Sequence, residues 1–209
     1  MQKLDLKKTF KTLYNPPSKI VQLVEVPRFK FLMIDGSIEP GREPGNSPAF
    51  QEATEAIYGA AYTLKFMIKQ RQDEPIDYPV MALEGLWWVE DGRFDIKIKD
   101  NWFWNLMIMT PDFIDDSLFQ EALARLAKKR SSPALSRLKL ESFHEGLCVQ
   151  VMHLGPYADE PETVARLETF ARDNQLQFDY KHHEIYLGDP RRSKPEALKT
   201  ILRHPVSKI

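Results

Sequence analysis

The sequence predicts an α+β fold, on three observations. Segments with helical apolar spacing and segments with two-residue alternation both occur, the order strand, helix, strand, strand occurs twice, and the composition is that of an ordinary globular chain. Of 209 residues, 43% are hydrophobic and 28% charged, with 29 Lys+Arg against 30 Asp+Glu. A chain of this length can bury roughly 70% of its unfolded surface, so a full core is available.

Residues 1–18 read as a basic N-terminal arm closed by Asn15-Pro16-Pro17-Ser18, and residues 19–209 as a single domain of two repeats, about 19–130 and 137–209. Residues 20–26 and 29–38 alternate like strands, with Phe29, Phe31 and Met33 on one face and Leu32 and Ile34 on the other. A loop rich in Pro and Gly follows over 39–47. Ser47-Pro48 supplies a capping hydroxyl and a proline for the first helical turn, after which Phe50, Ala53, Ile57, Ala60, Ala61, Leu64, Met67 and Ile68 recur at helical spacing. Residues 78–89 and 102–109 read as strands, with a further short strand at 94–99. Asp115 and Asp116 cap a second helix that carries Leu118, Phe119, Ala122, Leu123 and Leu126 and ends in the cations Lys128, Lys129 and Arg130. The second repeat runs through a strand at 147–154, a helix opened by Pro161, a strand at 181–187 and another at 200–206.

Several function classes are excluded by what is missing. No apolar run approaches the roughly 18 residues of a membrane span, and the first residues lack the apolar segment of a secretory signal, so a cytoplasmic protein is expected, without membrane attachment. Cys148 is the only cysteine and sits in an apolar run, which reads as a buried small hydrophobe. Residues 1–30 carry seven basic and two acidic side chains and residues 181–209 carry seven and three, leaving 15 against 25 between them. That acidic middle, with no helix-turn-helix, argues against direct nucleic-acid binding. Nucleotide-binding glycine motifs and the hydrolase elbow Gly-x-Ser-x-Gly are also missing. His182 and His183 are neighbours on a strand and point to opposite faces, so they cannot share a metal. Neither a metal nor a cofactor is expected.

What remains is a pair of mid-strand carboxylates. In residues 181–187 the period of two puts His182, Glu184 and Tyr186 on one face and His183, Ile185 and Leu187 on the other. The same parity groups Ala82, Glu84, Leu86 and Trp88 against Met81, Leu83, Trp87 and Val89. A carboxylate in mid-strand either lies on a solvated face or is buried at a cost of several kcal/mol that a raised pKa or a cation must offset. The large rings two or four residues away favour a lined cavity.

The segments His153-Leu154-Gly155-Pro156-Tyr157 with Asp159-Glu160-Pro161, and His183-Glu184-Ile185-Tyr186-Leu187-Gly188-Asp189-Pro190-Arg191, resemble those of the GyrI-like small-molecule-binding proteins. Residues 78–87 and 109–113 resemble the stand-alone branch of that family. The resemblance covers roughly residues 20–209 and implies tandem strand-helix-strand-strand modules, with antiparallel sheets around a central ligand cavity. It further implies a hydrophobic or planar small-molecule ligand, with three roles to distinguish: hydrolysis of cyclopropane-bearing DNA-alkylating compounds, sequestration of cationic lipophilic drugs, and binding of DNA gyrase. On the hydrolytic reading Glu184 orients water and Tyr157 or Tyr186 stabilises the developing oxyanion, making these the expected catalytic residues. Trp88, Trp104 and Tyr62 would stack on the ligand, with His182 a further expected ligand-binding residue and Glu84 either a second polar contact or a structural group. Trp87, Trp102, Phe50 and Phe170 read as core.

Overall fold

The computed structural model describes residues 1–90, 94–96, 101–179 and 181–209. In chain order its main elements are β1 (Gln2–Lys3), α1 (Leu6–Thr9), α2 (Lys11–Tyr14), β2 (Gln22–Ser37), α3 (Pro48–Lys69), β3 (Ile76–Asp77), β4 (Leu83–Trp88), β5 (Phe103–Thr110), α4 (Asp116–Ala127), β6 (Lys139–Leu154), α5 (Glu160–Asp173), β7 (Leu176–Phe178), β8 (His182–Tyr186) and β9 (Lys199–Lys208). The strands line up in the order β6-β2-β5-β4-β8-β9, all antiparallel, and β9 pairs back onto β6, which closes the ring into a barrel; β7 adds to β9 outside the ring. The two repeats are built alike. In the first, β2 pairs with β5 and β5 with β4; in the second, β6 pairs with β9 and β9 with β8. The joints between repeats are β2 with β6 and β4 with β8.

Both main helices lie on the outer face of this barrel. The Ser47 side chain accepts a hydrogen bond from the Phe50 amide at 3.1 Å, and Pro48 occupies the first turn, so α3 starts where its cap dictates. Its stripe of Ala53, Ile57, Ala60, Leu64 and Ile68 is buried, largely on β2 and β5, with α4 packed alongside. α5 covers β6, β7 and β9 through a smaller core of Val149, Val151, Leu167, Ala171, Leu202 and Val206.

Several expectations change in the structure. The strands expected at 20–26 and 29–38 are one strand, β2: Pro27 has no N–H for the ladder, but its neighbours Val26 and Arg28 keep their pairing with Gly146 and His144, so the strand passes through it. β4 begins at Leu83, five residues later than expected. β6 begins at Lys139, well upstream of 147, because β2 pairs with it from Gln22 through Met33. The two repeats contribute to one closed sheet and not to separate sheets. The strand expected at 94–99 has no counterpart over residues 94–96, and residues 97–99 lie outside the described ones. β7 was not anticipated, its three residues being too few to show a period. Nor is the basic arm merely an appendage: Leu6, Leu13 and Tyr14 are buried in the main core.

Gly36 of β2 stands opposite Trp104 of β5. A Cβ there would stand 2.1 Å from the ring of Trp104, a fully buried side chain that leans over the strand towards Phe50 of α3. Because Trp104 has no free side to move into, Gly36→Ala is expected to destabilise the protein by at least the ~1–3 kcal/mol typical of overpacking. The midpoint of urea unfolding, at unchanged slope, measures it.

Candidate functional site

β8 separates two polar clusters by alternation alone. Its even residues, His182, Glu184 and Tyr186, lie on the outer face; His183 and Ile185 lie inside the barrel. The register fixes the neighbours: Gly85 of β4 stands opposite Glu184 and Trp87 opposite His182, while Leu202 of β9 flanks Glu184 on its other side.

Glu184 is the centre of the outer cluster and is 7% exposed. One of its oxygens lies 2.8 Å from His182 Nε2, and His182 Nδ1 is 2.7 Å from His204 Nε2, so an imidazole chain from β9 fixes the carboxylate. The Tyr186 hydroxyl accepts a 2.9 Å bond from the Trp87 indole N–H and lies close enough to Glu184 to feel its charge. Burial and the neighbouring carboxylate push the Tyr186 hydroxyl well above its usual range, which keeps it protonated as a donor. Gly85 makes this possible, because a Cβ there would lie 2.9 Å from the Trp87 nitrogen and 3.1 Å from the Tyr186 oxygen.

Tyr157 closes the cluster from the side of α5. Its ring meets that of Tyr186 edge-on at 5.9 Å, and it is 36% exposed, giving the site a face to solvent. Burial, with help from Glu184, raises its hydroxyl too. The turn that presents it is held by His153, whose Nδ1 is 2.9 Å from Thr163 Oγ1 and whose Nε2 is 3.1 Å from the Pro156 carbonyl; Gly155 supplies the φ of 126° that the turn needs. On the opposite wall α3 carries a ladder of rings, Tyr58, Tyr62 and Phe66, stacked at 6.3 and 6.5 Å, the last two about half exposed. Glu160, in the first turn of α5, completes the floor: it is 1% exposed and its Oε1 has no hydrogen-bond partner. Burial, then the charge of Glu184, pushes its carboxyl up to about 10.

The inner cluster is of another kind. Tyr14 of the arm donates a 2.7 Å bond to Glu84, Glu84 lies 3.1 Å from His183 Nε2, and His183 Nδ1 is 2.9 Å from Glu145. Arg203 reaches Glu145 at 3.3 Å, Gln150 at 3.1 Å and the Leu13 carbonyl at 2.8 Å. Burial would depress the His183 pKa, but Glu145 and Glu84 outweigh it and hold the ring at about 9, an imidazolium at neutral pH. The same cations hold Glu145 below its usual value against its burial. Every ionic member has an opposite charge in contact, the arrangement in which buried charges are tolerated.

The expected site residues therefore divide. Glu184, Tyr186, Tyr157 and His182 come together, and Tyr62 stands on the facing helix. Glu84 and Trp88 do not join them, since both point to the other face of β4; Glu84 belongs to the barrel interior and Trp88 stacks on Phe103 beneath Lys181. Trp104 is on the correct face but fully buried against Phe50. Sequence reasoning missed Glu160, Trp87, Gly85, Tyr58 and His204. Glu160 resembles any acid at a helix start, and only its proximity to His182 and Glu184 in the fold reveals it. Glu160, His182 and Glu184 each direct one polar atom within 4.8 Å of the others, the one grouping among the described residues with room for a cation. The wide recess lined by Arg71, Asp73, Glu74, Ile76 and Phe113 shares no residue with this cluster.

The model of the GyrI-like small molecule binding domain matches residues 20–207. The chain belongs to this family. A hydrolase from Listeria innocua is 40% identical with a TM-score of 0.84, covering 99% of this chain and 100% of its own. An uncharacterized conserved protein from the same organism is 41% identical with a TM-score of 0.86, over 98% of this chain and 100% of its own. The C-terminal domain of EcmrR, at 13% identity and a TM-score of 0.55 over 91% of this chain and 98% of its own, shares the fold. No curated protein matches the sequence. Among the described residues of this GyrI-like protein no helix is long and apolar enough to cross a membrane.

The division of β8 yields a stability prediction. Tyr14→Phe removes the hydroxyl that the buried Glu84 relies on and is expected to cost about 1–3 kcal/mol, the range for a buried acceptor left unsatisfied. Urea unfolding of the variant beside wild type measures that loss.

Proposed function

We propose that this GyrI-like protein captures planar, electrophilic small molecules in the groove between α3 and α5 and opens a cyclopropane ring in them by addition of water, with Glu184 as the base. The observation that supports it most is the Glu184 carboxylate itself: buried, oriented by His182 and flanked by two tyrosine hydroxyls that remain protonated, one of them on a ring partly open to solvent. Two Listeria innocua relatives described as hydrolases, 38% and 40% identical over nearly the whole chain, favour a reaction over binding alone.

The step balances on these groups. The water oxygen bonds to the ring carbon while its proton passes to Glu184, and the electron pair of the breaking carbon–carbon bond runs into the conjugated carbonyl, which becomes a phenolate. A hydroxyl of Tyr157 or Tyr186 donates to that oxygen as charge develops. The proton held by Glu184 then reaches the phenolate through solvent, restoring the carboxylate and leaving a phenol and a new alcohol. His182 holds the base in position, and Tyr62 with Tyr58 offers a stacking wall to a flat ligand, worth about 0.5–1.5 kcal/mol per ring pair beyond buried area. No cofactor enters the scheme, and a cytoplasmic setting belongs to the same proposal. Sequestration of cationic lipophilic compounds by the same carboxylate is the second reading, favoured by the exposed ladder of Tyr62 and Phe66.

Purified protein given a cyclopropane-bearing alkylator of the duocarmycin type in isotope-labelled water is expected to yield a product that carries the label, read by mass spectrometry. Glu184→Gln should lower the rate by about 100-fold or more, the usual contribution of a positioned base. Tyr157→Phe should lower it less. Turnover unchanged in Glu184→Gln would remove that residue from the mechanism, and binding without any change of mass would favour sequestration.

A further inference from the structure

Two acidic side chains share the floor of the groove, and only one has an evident counterpart. Glu184 is met by His182 and Tyr186. Glu160 comes from another element, α5, and lies within 4.8 Å of both His182 and Glu184 with one oxygen unpartnered and almost no contact with water. The groups that face it are Glu184 and His182 from β8, Thr200 from β9, and Tyr157 in the turn before it. No lysine or arginine is among them. Two carboxylates this close and this dry cannot both be ionised unless something positive lies between them.

We infer that Glu160 and Glu184 act as a pair sharing one proton, with Glu160 holding it, so that the groove presents one carboxylate and one carboxylic acid. The division follows from their surroundings. His182 lies at hydrogen-bond distance from Glu184, whereas Glu160 has burial and its neighbour's charge against ionisation and, in its favour, only a weak contact from Thr200 and the start of α5. Glu160 is then a positioning residue. It keeps the net charge of the floor at one, which suits a neutral electrophile or a monocation and not a dication, and it leaves Glu184 free to accept a proton. The inference rests on the groove being the ligand site only for this last consequence; the protonation state can be tested without any ligand.

The pH dependence has a definite sign. A carboxyl whose folded pKa is about 10, against an ordinary 4.5, binds its proton more tightly folded than unfolded. Its contribution to stability is therefore full at low pH and is lost as pH rises from about 4.5 to about 10. Glu160→Gln, an uncharged mimic of the acid, removes that loss, so the melting temperature of the variant should rise relative to wild type progressively across the window. Infrared spectroscopy of the ligand-free wild type gives the second readout. A carboxylic-acid C=O band should persist at pH 7, fade towards pH 10 and be missing in Glu160→Gln, all without turnover.

Absence of that band at pH 7, or a difference in melting temperature that does not grow with pH, would overturn the inference. So would saturable binding of zinc to wild type that Glu160→Gln abolishes, since a cation would then take the place assigned to the proton. If instead the band is present and the alkylator is not hydrolysed, the pair stands and the hydrolytic reading falls. Where hydrolysis does occur, its rate should decline on the alkaline side as Glu160 ionises, and Glu160→Gln should move that decline to higher pH.

Discussion

Closure of the sheet is the constraint on which the rest depends. Pairing of β9 with the end of β6 closes the ring and gives every strand of it an inner and an outer face. The inner face is occupied by Met33, Met107, Ile185 and Ile201 and by the ion network around Arg203. The outer face is covered by α3 on β2 and β5 and by α5 on β6, β7 and β9, and the cluster around Glu184 lies on the same face at β8 and β4.

The ion network also explains why the first residues are part of the fold. Arg203 and Glu84 each direct one bond outward, to the Leu13 carbonyl and the Tyr14 hydroxyl, and α2 is thereby drawn onto the barrel. Charges buried in this way contribute little net energy when complete but cost about 3–5 kcal/mol when one partner is removed. The arm is thus held by groups that would otherwise be unsatisfied, a stronger tether than the apolar contact of Leu6 and Leu13 alone.

Much of this was legible in the amino acids because helices and strands write their periods into the chain. The cap at Ser47, the stripe of α3 and the alternation of β8 all predict the observed elements, and the repeated order predicts the matched pairings of the two halves. What a strand's own period cannot give is its register against a neighbour. Glu84 and Glu184 look equivalent within their repeats, yet Gly85, not Glu84, stands across from Glu184, so the second carboxylate is turned inside and Trp87 takes the place expected of Trp88. Glu160 was hidden for a different reason, since burial of a helix's first turn is decided by the angle at which that helix crosses the sheet. The groove's second acid is a product of packing.

The alternation of β8 has a consequence for how such a protein can change. His183 and Ile185 face the barrel interior, while His182, Glu184 and Tyr186, one residue away in each case, face the outer cluster. Five consecutive positions therefore answer to two unrelated demands. A lineage could rewrite every second one to meet a new compound while the intervening ones carry the architecture forward untouched, and a comparison of descendants along this strand would show variation and constancy taking turns.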